Sequence, residues 1–414
     1  MPLLHKRPST HGLERRLSKE RHFHFLGRLA TAISLFFLVV LFAFILGNGI
    51  SGFFRYDIAL SFPMTEEQGQ SYRKALYSAL YEKLGVTDTA DRLMGRQLLS
   101  RAAPDVLQEA RRTQEQKAQD APLSLWIPAS MLVENIMKGR YDSSLPEEQR
   151  LVKDKHIAWV RTLDEGGFLR WHINRDFFTN GATSSPETAG IGIALLGSLI
   201  MMVIVVLVSV PVGVCAAIYL EEFAPKHNRF IYLLELNINN LAAVPSIVFG
   251  ILGLAIFINV FGIPRSSPLT GGLVLSLMTL PTVIISARSV LKAVPLSLKW
   301  SAYGLGASKH QVIFHHVLPV ATPGIATGAI IGLAQALGET APLLMIGMFA
   351  FVADYPQSLL EPASALPVQT FIWAGSPEPG FAQRTAASII VLLFFLITMN
   401  ATAVYLRQKF EIKW

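Results

Sequence analysis

The stretch SAYGLGASKHQVIFHHVLP, residues 301–319, decides the fold of this chain, and it lies between two apolar runs. Small residues surround Gly306, which supplies a tight turn with positive φ at no steric cost. Ser308, two residues later, suits the N-cap of a second helix. The stretch therefore predicts a helix–turn–helix on a loop between two membrane spans. A short helix presented in this way is suited to docking in a groove of another protein, and the alternative is an ordinary amphipathic connector.

The composition of the whole chain indicates two different environments. The 414 residues are 51% apolar and 16% charged, against about 25% charged in a typical soluble domain. Nineteen of the 29 Asp and Glu residues fall between positions 57 and 187, and none falls between Glu235 and Glu339. This distribution disfavours a soluble enzyme or a disordered regulator and indicates a membrane part plus a water-exposed part. The single cysteine, Cys215, excludes a disulfide framework or a cysteine-based metal site.

Six apolar segments predict six membrane-spanning helices. They are residues 29–50, after a basic tail at 1–28, and residues 190–219, 240–262, 270–291, 320–349 and 386–406. Two, four and three Lys or Arg occur in the connecting segments 221–229, 288–316 and 407–414, whereas the opposite loops carry only Arg265 and Arg384. The positive-inside rule then places both termini in the cytoplasm. The net charge of +7 follows from the same lipid topology, so no nucleic-acid partner is expected.

Residues 51–188 predict a small helical or α+β domain outside the cytoplasm, inserted between the first and second spans. Its 18 Lys or Arg and 19 Asp or Glu make it nearly neutral. Within residues 65–85, the side chains at positions 72, 76, 80 and 84 share one face of a helix. The pattern also favours a helix that ends within 108–122 and amphipathic helices at 123–140 and 150–163. Residues 189–414 then form the second, membrane-embedded domain.

The 301–319 loop resembles the EAA loop of ABC-importer permeases, in which E-A-A-x-x-L-G-A precedes a hydrophobic pair and L-P. The residues that match are Ala302, Leu305, Gly306, Ala307, Phe314, Leu318 and Pro319. Ser301 stands in place of the glutamate and Tyr303 in place of the second alanine, so the acidic position is lost. Further segments resemble the PstA family of phosphate-specific permeases, and they lie at 191–225, 241–257, 335–344 and 364–377. The sequence G-E-T-A-P-L within 335–344 is similar to PstA rather than to its partner permease PstC.

The resemblance implies an all-α, MetI-like permease bundle in a bacterial inner membrane, with no catalytic role for this chain. The implied partners are the lipid bilayer, a homologous PstC permease, a PstB ATPase dimer that uses ATP and magnesium, and a periplasmic phosphate-binding protein. Inorganic phosphate is the implied substrate. The chain itself carries no P-loop motif and is expected to bind no cofactor. The residues expected to dock the ATPase are Ser301, Ala302, Leu305, Gly306, Ala307, Ser308, Lys309, Phe314 and Pro319.

The fifth predicted span carries a stripe of small residues that continues into two polar ones. The stripe consists of Gly324, Gly328 and Gly332, followed on the same predicted face by Gln335 and Glu339. Repeated small residues allow close approach of another helix. A carboxylate within a span marks a functional site by default, so Glu339 is expected to pair with a cation near the transport path. The alternative is that it caps or pairs within a helix break at 338–342, or lies near the outer interface.

Arg288, at the end of the fourth span, has two interpretations. Its guanidinium matches the geometry of phosphate, but an arginine at this edge can equally snorkel to the interface. It is also a candidate partner of Glu339, as is an arginine of the partner permease. Breaks are expected at Pro245 and Pro281, where freed backbone N–H groups suit anions. The residues expected to line or gate the path are Ser246, Arg288, Gln335, Glu339 and Thr340.

Three other functions stay open at this point. The same machine could import another oxyanion or a small solute. A membrane sensor could bind a ligand through residues 51–188, although the tails at 1–28 and 407–414 are too short for a signalling domain. A membrane-embedded enzyme would need a catalytic set of residues, and the sequence shows no nucleophile–base combination.

Overall fold

Helices dominate the structure, a computed structural model that describes residues 10–62, 72–116, 123–141, 146–225, 228–349 and 351–409. The predicted helix at 65–85 therefore lies partly outside the described residues, as do both terminal tails. The first membrane helix is followed by a unit of helices and strands, the insert domain, formed by the described residues between 54 and 179. The elements of this part are α1 (Thr10–Gly49), β1 (Phe54–Phe62), α2 (Tyr72–Leu84), α3 (Thr89–Gly95), α4 (Ala103–Gln116), β2 (Leu123–Pro128), α5 (Met131–Met137), α6 (Asp154–Glu165), β3 (Leu169–Ile173) and α7 (Asp176–Thr179).

The remaining elements belong to the membrane part. They are α8 (Gly192–Ile218), α9 (Arg229–Ala242), α10 (Ser246–Gly253), α11 (Pro268–Ala293), α12 (Leu296–Gly304), α13 (Lys309–Gln311), α14 (Leu318–Gly338), α15 (Ala341–Met345), α16 (Leu366–Ala374) and α17 (Gly380–Lys409). Short π-helical turns extend α8 to Phe223 and α10 to Val260, and a third joins α13 to α14.

Five helical stretches of the described residues are long and apolar enough to cross a membrane, and the number becomes six if the bent pair α9–α10 is one span. The five are Lys19–Phe53, Gly192–Phe223, Pro268–Ala293, Lys309–Gly338 and Gly380–Lys409. About 20 apolar residues in a helix match the hydrocarbon thickness of a bilayer, about 30 Å. The prediction of a helical membrane bundle is confirmed, with the third span as its one irregular member.

The third span, predicted at 240–262, is interrupted, and the break predicted at Pro245 is confirmed. α9 and α10 meet at 105° around a break of three residues, where Pro245 disfavours helical backbone at Val244 before it. The predicted break at Pro281 is wrong, because α11 continues through this residue. A proline inside a membrane helix is tolerated where neighbouring helices and local backbone adjustments satisfy the freed polar groups.

The insert domain is built on an antiparallel sheet in the order β2–β1–β3. Leu76 and Leu80 of α2 are fully buried in one core with Ile58 and Leu60 of β1. The helical stripe predicted around these two leucines is therefore confirmed, and the helices predicted to end within 108–122 and to occupy 150–163 correspond to α4 and α6. The domain is α+β, one of the two classes that the sequence left open.

The single helix predicted at 123–140 is wrong, because this segment forms β2 and then α5. Leu123, Leu125 and Ile127 alternate with Ser124 and Trp126, which is the period of two of a strand rather than the 3.6 of a helix. Pro128 then ends the strand, since proline has no N–H for the ladder.

The membrane end of the sheet is defined by its register. Phe54, the first residue of β1, follows α1 after a single 3-10 turn at residues 50–53. It pairs with Ile173, the last residue of β3, and the chain then leads through α7 to α8. β1 therefore runs away from the membrane helices, and Phe62 lies at the far end of the sheet.

Candidate functional site

The predicted docking loop folds as a helical hairpin. α12 ends at Gly304, Gly306 has a φ of 83°, and α13 begins at Lys309. The Ser308 hydroxyl accepts the backbone N–H of Gln311 at 3.4 Å, and the Gln311 side chain accepts the N–H of Ser308 at 2.9 Å. This reciprocal arrangement is a capping box. The turn glycine and the cap predicted from the sequence are both confirmed.

The second helix of the hairpin is not short, contrary to the prediction. α13, the π-helical turn and α14 form one continuous helical stretch, Lys309–Gly338. Val312 and Val317 of the π-helical turn are fully buried in a core that also contains Ala302 of α12. The hairpin and the fifth span therefore share one helix.

The outer face of the hairpin is apolar. Trp300 is 70% exposed and Leu305 is 89% exposed, and the Trp300 ring lies 6.2 Å from that of Tyr303. Exposed large apolar side chains that lie close together mark protein contacts. The predicted docking residues divide as follows: exposed are Ser301, Leu305, Gly306, Ser308, Lys309 and Phe314, half-buried are Ala307 and Pro319, and buried is Ala302.

Contacts with the end of the second span fix the orientation of the hairpin. Lys299 forms an ion pair with Glu222. The Lys309 ammonium lies 5.1 Å from the centre of the Phe223 ring, within range of a cation–π interaction. The His310 ring is also 5.1 Å from this ring. The hairpin is therefore held against the π-helical turn that follows α8.

The three glycines of α14 face α11. A Cβ at Gly324 would come within 2.6 Å of Val290, and one at Gly328 within 1.7 Å of the Ser286 hydroxyl. Gly332 has more room, since the nearest atom to its Cβ would be 3.7 Å away. These distances are the close helix approach that the glycine spacing predicts.

The polar end of the stripe leaves the predicted face. α14 ends at Gly338, and Glu339 has extended backbone with φ −78° and ψ 121°. The shared helical face predicted for Glu339 is therefore wrong, because Pro342 cannot donate the hydrogen bond that would continue the helix. The break at 338–342 is the alternative that the structure shows. Gln335 remains on α14 and is exposed, while Glu339 and Thr340 are half-buried.

The break after α14 adjoins the break before α10. α10 packs against α15, and a Cβ at Gly250 would come within 2.7 Å of the Pro342 Cα atom. Ser246, half-buried, is the first residue of α10. The structure therefore brings Ser246, Glu339 and Thr340 onto two interrupted segments that pack on each other.

Arg288 is held by carboxylates. One of its guanidinium nitrogens lies 2.7 Å from Glu235 of α9 and 3.7 Å from Glu221 after α8. Lys292 is 3.6 Å from the same Glu221 carboxylate. The predicted pair of Arg288 with Glu339 is therefore wrong, since nearer carboxylates occupy the guanidinium. This ionic network joins α9, α11 and the end of α8.

Arg384 is a structural residue that the sequence interpretation missed. The hydropathy pattern places it in an outer loop, but it lies in α17 and is 2% exposed. Its Nε donates to the Pro186 carbonyl at 2.7 Å, and another of its nitrogens donates to the Gly52 carbonyl. It thus joins the last span, the end of the first membrane helix and the segment before α8. Its position beside a long apolar run is the signal that could have flagged it.

Two buried acids lie near this junction, Glu187 in the segment before α8 and Glu134 in the insert domain. The Glu187 carboxylate accepts the Ser100 hydroxyl and the Met131 N–H, each at 3.0 Å. Burial raises the pKa of Glu187, and these hydrogen bonds oppose the rise. Glu134 forms a buried ion pair with Lys138, and burial lowers the pKa of that lysine. A polar network therefore fixes the insert domain to the membrane part.

Comparisons with known proteins match both parts of the chain. Residues 209–411 match the family model described as binding-protein-dependent transport system inner membrane component, and residues 10–147 match a domain of unknown function, DUF3333. A phosphate transport system permease protein PstC from Pasteurella multocida is 33% identical over 265 residues, which cover 58% of this chain and 79% of the relative. A PstA from Mycobacterium leprae is 36% identical over 220 residues, 53% of this chain and 71% of the relative. An inward-facing MetNI methionine ABC transporter structure aligns with a TM-score of 0.41 at 14% identity, over 53% of this chain and 94% of that chain.

The glycines of α14 predict a graded response to one added methyl group. Gly328→Ala should destabilise the protein by about 1–3 kcal/mol, the usual cost of overpacking, because the methyl group would overlap the Ser286 side chain. Gly332→Ala is the matched control on the same helix, and it should be neutral or slightly stabilising. Thermal unfolding of the purified protein in detergent measures both. Equal melting temperatures for the two variants would contradict the close contact at Gly328.

Proposed function

Because this chain belongs to the binding-protein-dependent transport permeases, and among them to the phosphate transport permeases, we propose that it is the PstA-type permease subunit of an ATP-driven phosphate importer. The observation that carries the proposal is the exposed apolar hairpin at the start of the fifth span, within the region that matches the permease family. The G-E-T-A-P-L sequence at 338–343 favours the PstA type over the PstC type. Permeases of this family work with an ATPase and a solute-binding protein.

The finer assignment of partners follows from the phosphate relatives. The chain would pair with a PstC permease, dock two PstB ATPase subunits and receive phosphate from a periplasmic binding protein. ATP and magnesium would act in the ATPase, while this chain contributes no catalysis and binds no cofactor. The hairpin would face the cytoplasm with both termini, and the insert domain would lie on the opposite side of the inner membrane.

The hairpin supplies the coupling step. ATPase closure would move the surface formed by Trp300, Leu305 and Phe314, which presents apolar side chains to a partner. Since α13 and α14 are continuous, the movement would pass to the fifth span and, through the glycine contacts, to α11. The missing glutamate at Ser301 leaves the apolar residues and the capped turn as the docking elements.

The phosphate path would follow the interrupted segments at the interface with the second permease. Helix breaks expose backbone N–H groups, which bind anions without a full positive charge. Ser246 and Thr340 add hydroxyl groups at these breaks, and Gln335 is exposed on the adjoining helix. A carboxylate repels phosphate, so Glu339 would shape or gate the path by pairing with a cation of the second permease.

The assembled importer, reconstituted with its binding protein in vesicles, tests the substrate. Phosphate should stimulate ATP hydrolysis, whereas sulfate and molybdate at the same concentration should not. Labelled phosphate should accumulate only with ATP on the ATPase side. If another oxyanion stimulated ATP hydrolysis instead of phosphate, the chain would still be a permease subunit, but the assignment of phosphate as its substrate would be wrong.

Substitution of the turn glycine tests the docking hairpin. Gly306→Val places a side chain at φ 83°, a left-handed conformation that costs an L-residue about 1–2 kcal/mol. Co-purification of the ATPase and phosphate uptake should both fall at unchanged membrane insertion. Gly304→Val is the matched control, because neither position has an atom within 4 Å of an added Cβ, and Gly304 lies in helical backbone. Equal coupling in both variants would contradict the docking role.

The ion pair between Arg288 and Glu235 predicts that substitutions of these two residues have coupled effects on stability. Arg288→Gln and Glu235→Gln should each lower stability by less than the about 3–5 kcal/mol of a fully buried broken pair, because both groups are partly exposed. The double variant should lose less than the sum of the two. Thermal unfolding and phosphate uptake are measured for the parent, the two single variants and the double variant, which together form a double-mutant cycle. Strict additivity, with uptake lost in Arg288→Gln alone, would instead favour a direct contact of Arg288 with phosphate.

A further inference from the structure

The apolar face of the insert sheet continues beyond the core that its helices cover. Ile58 and Leu60 of β1 point to this core and are buried. Phe54 lies on the same face of β1, two pleats closer to the membrane end, and it is directly opposite Ile173. Trp171 shares the face with Ile173, and these two side chains are 56% and 57% exposed.

The half-buried Phe54 and the exposed Trp171 and Ile173 form one contiguous surface at the membrane end of the sheet. We call this surface the aromatic edge (Phe54, Trp171 and Ile173). The Phe54 and Trp171 rings stack with centroids 4.3 Å apart. Stacked rings lose little conformational freedom on binding, because packing already holds them in place. The aromatic edge is therefore a rigid apolar surface without a covering element among the described residues.

The aromatic edge begins one short turn after the first membrane helix, whose apolar side chains are exposed. Phe54 is separated from α1 by one short turn, in which Ile50 is exposed. Along α1 the apolar side chains, for example Phe37 and Phe44, are exposed as well. Exposed apolar side chains therefore occur along the membrane helix, in the turn after it and at the base of the insert domain.

We propose that the aromatic edge inserts into the headgroup region of the adjacent lipid leaflet and seats the insert domain on the bilayer. Tryptophan is enriched at this depth because its ring is apolar while its N–H can bond to the headgroups. Arg175, exposed two residues after Ile173, is placed to pair with lipid phosphates. Apolar side chains of interfacial segments enter the headgroup boundary by about 5–10 Å. The inference goes beyond phosphate transport and holds whichever solute is imported.

Site-directed spin labelling of the full chain tests the proposal. Ile173→Cys, in a Cys215→Ser background, carries the only cysteine and is labelled with a nitroxide. The assembled importer is reconstituted in vesicles of phosphatidylethanolamine and phosphatidylglycerol. Relaxation of the label by oxygen, which concentrates in lipid, is compared with relaxation by a water-soluble nickel chelate. Phe37→Cys on α1 serves as the lipid control and Ser124→Cys, exposed on β2, as the water control.

The label at 173 should resemble the lipid control, with oxygen more effective than the nickel chelate. Behaviour like that at 124 would overturn the proposal, because the edge would then face water. Low access of both reagents would also overturn it, because a protein partner would then cover the edge.

Tryptophan fluorescence provides a second measurement with a mild substitution. Lipids brominated near the headgroup should quench the parent protein more than Trp171→Phe. Trp159→Phe, on α6, is the matched control and should leave the quenched intensity, the absolute loss of fluorescence, unchanged. Equal quenching of the parent and Trp171→Phe would contradict insertion of the aromatic edge even if the cysteine variant fails to fold.

Discussion

Close contact between α14 and α11 is the constraint on which the membrane part depends. Lipid gives apolar helices no hydrophobic drive to associate, so they associate through van der Waals packing and interhelical hydrogen bonds. Gly324 and Gly328 leave no room for a side chain against Val290 and Ser286. α14 continues the helical hairpin, and α11 carries Arg288, whose ion pairs hold α9. The hairpin, the glycine contact and the bent third span are thus joined by one continuous chain of contacts.

Local chemistry explains why some elements could be predicted from the sequence. The turn at Gly306 and the cap at Ser308 depend on residues within five positions of each other, and hydropathy places the fourth span within two residues of Pro268–Ala293. The alternation that marks β2 extends over only five residues, and the strand is fixed by its pairing with β1, which joins Ile58 to Ile127, 69 positions apart. A proline alone does not determine whether a helix ends. α9 ends before Pro245, whereas α11 continues through Pro281, because the neighbours of the two prolines differ.

The candidate site shows the same division. The glycine spacing indicated the packed face of α14, since helical periodicity is a property of the sequence itself. The partner of Arg288 could not be read in this way, because Glu235 lies 53 positions away on a helix whose direction depends on the 105° bend. The position of Glu339 likewise depends on where α14 stops. Sequence patterns identified these residues as unusual, and only the fold determines what they contact.

The Arg384 junction has a consequence for the order in which the protein is made. Its guanidinium bonds to the Gly52 carbonyl, 332 positions earlier in the chain, and to the Pro186 carbonyl. Translation supplies the insert domain and four further spans before this arginine emerges. The hydrogen bonds of Arg384 to these two carbonyls can therefore form only after the last span has been made, so a truncated or stalled chain leaves both carbonyls without this donor.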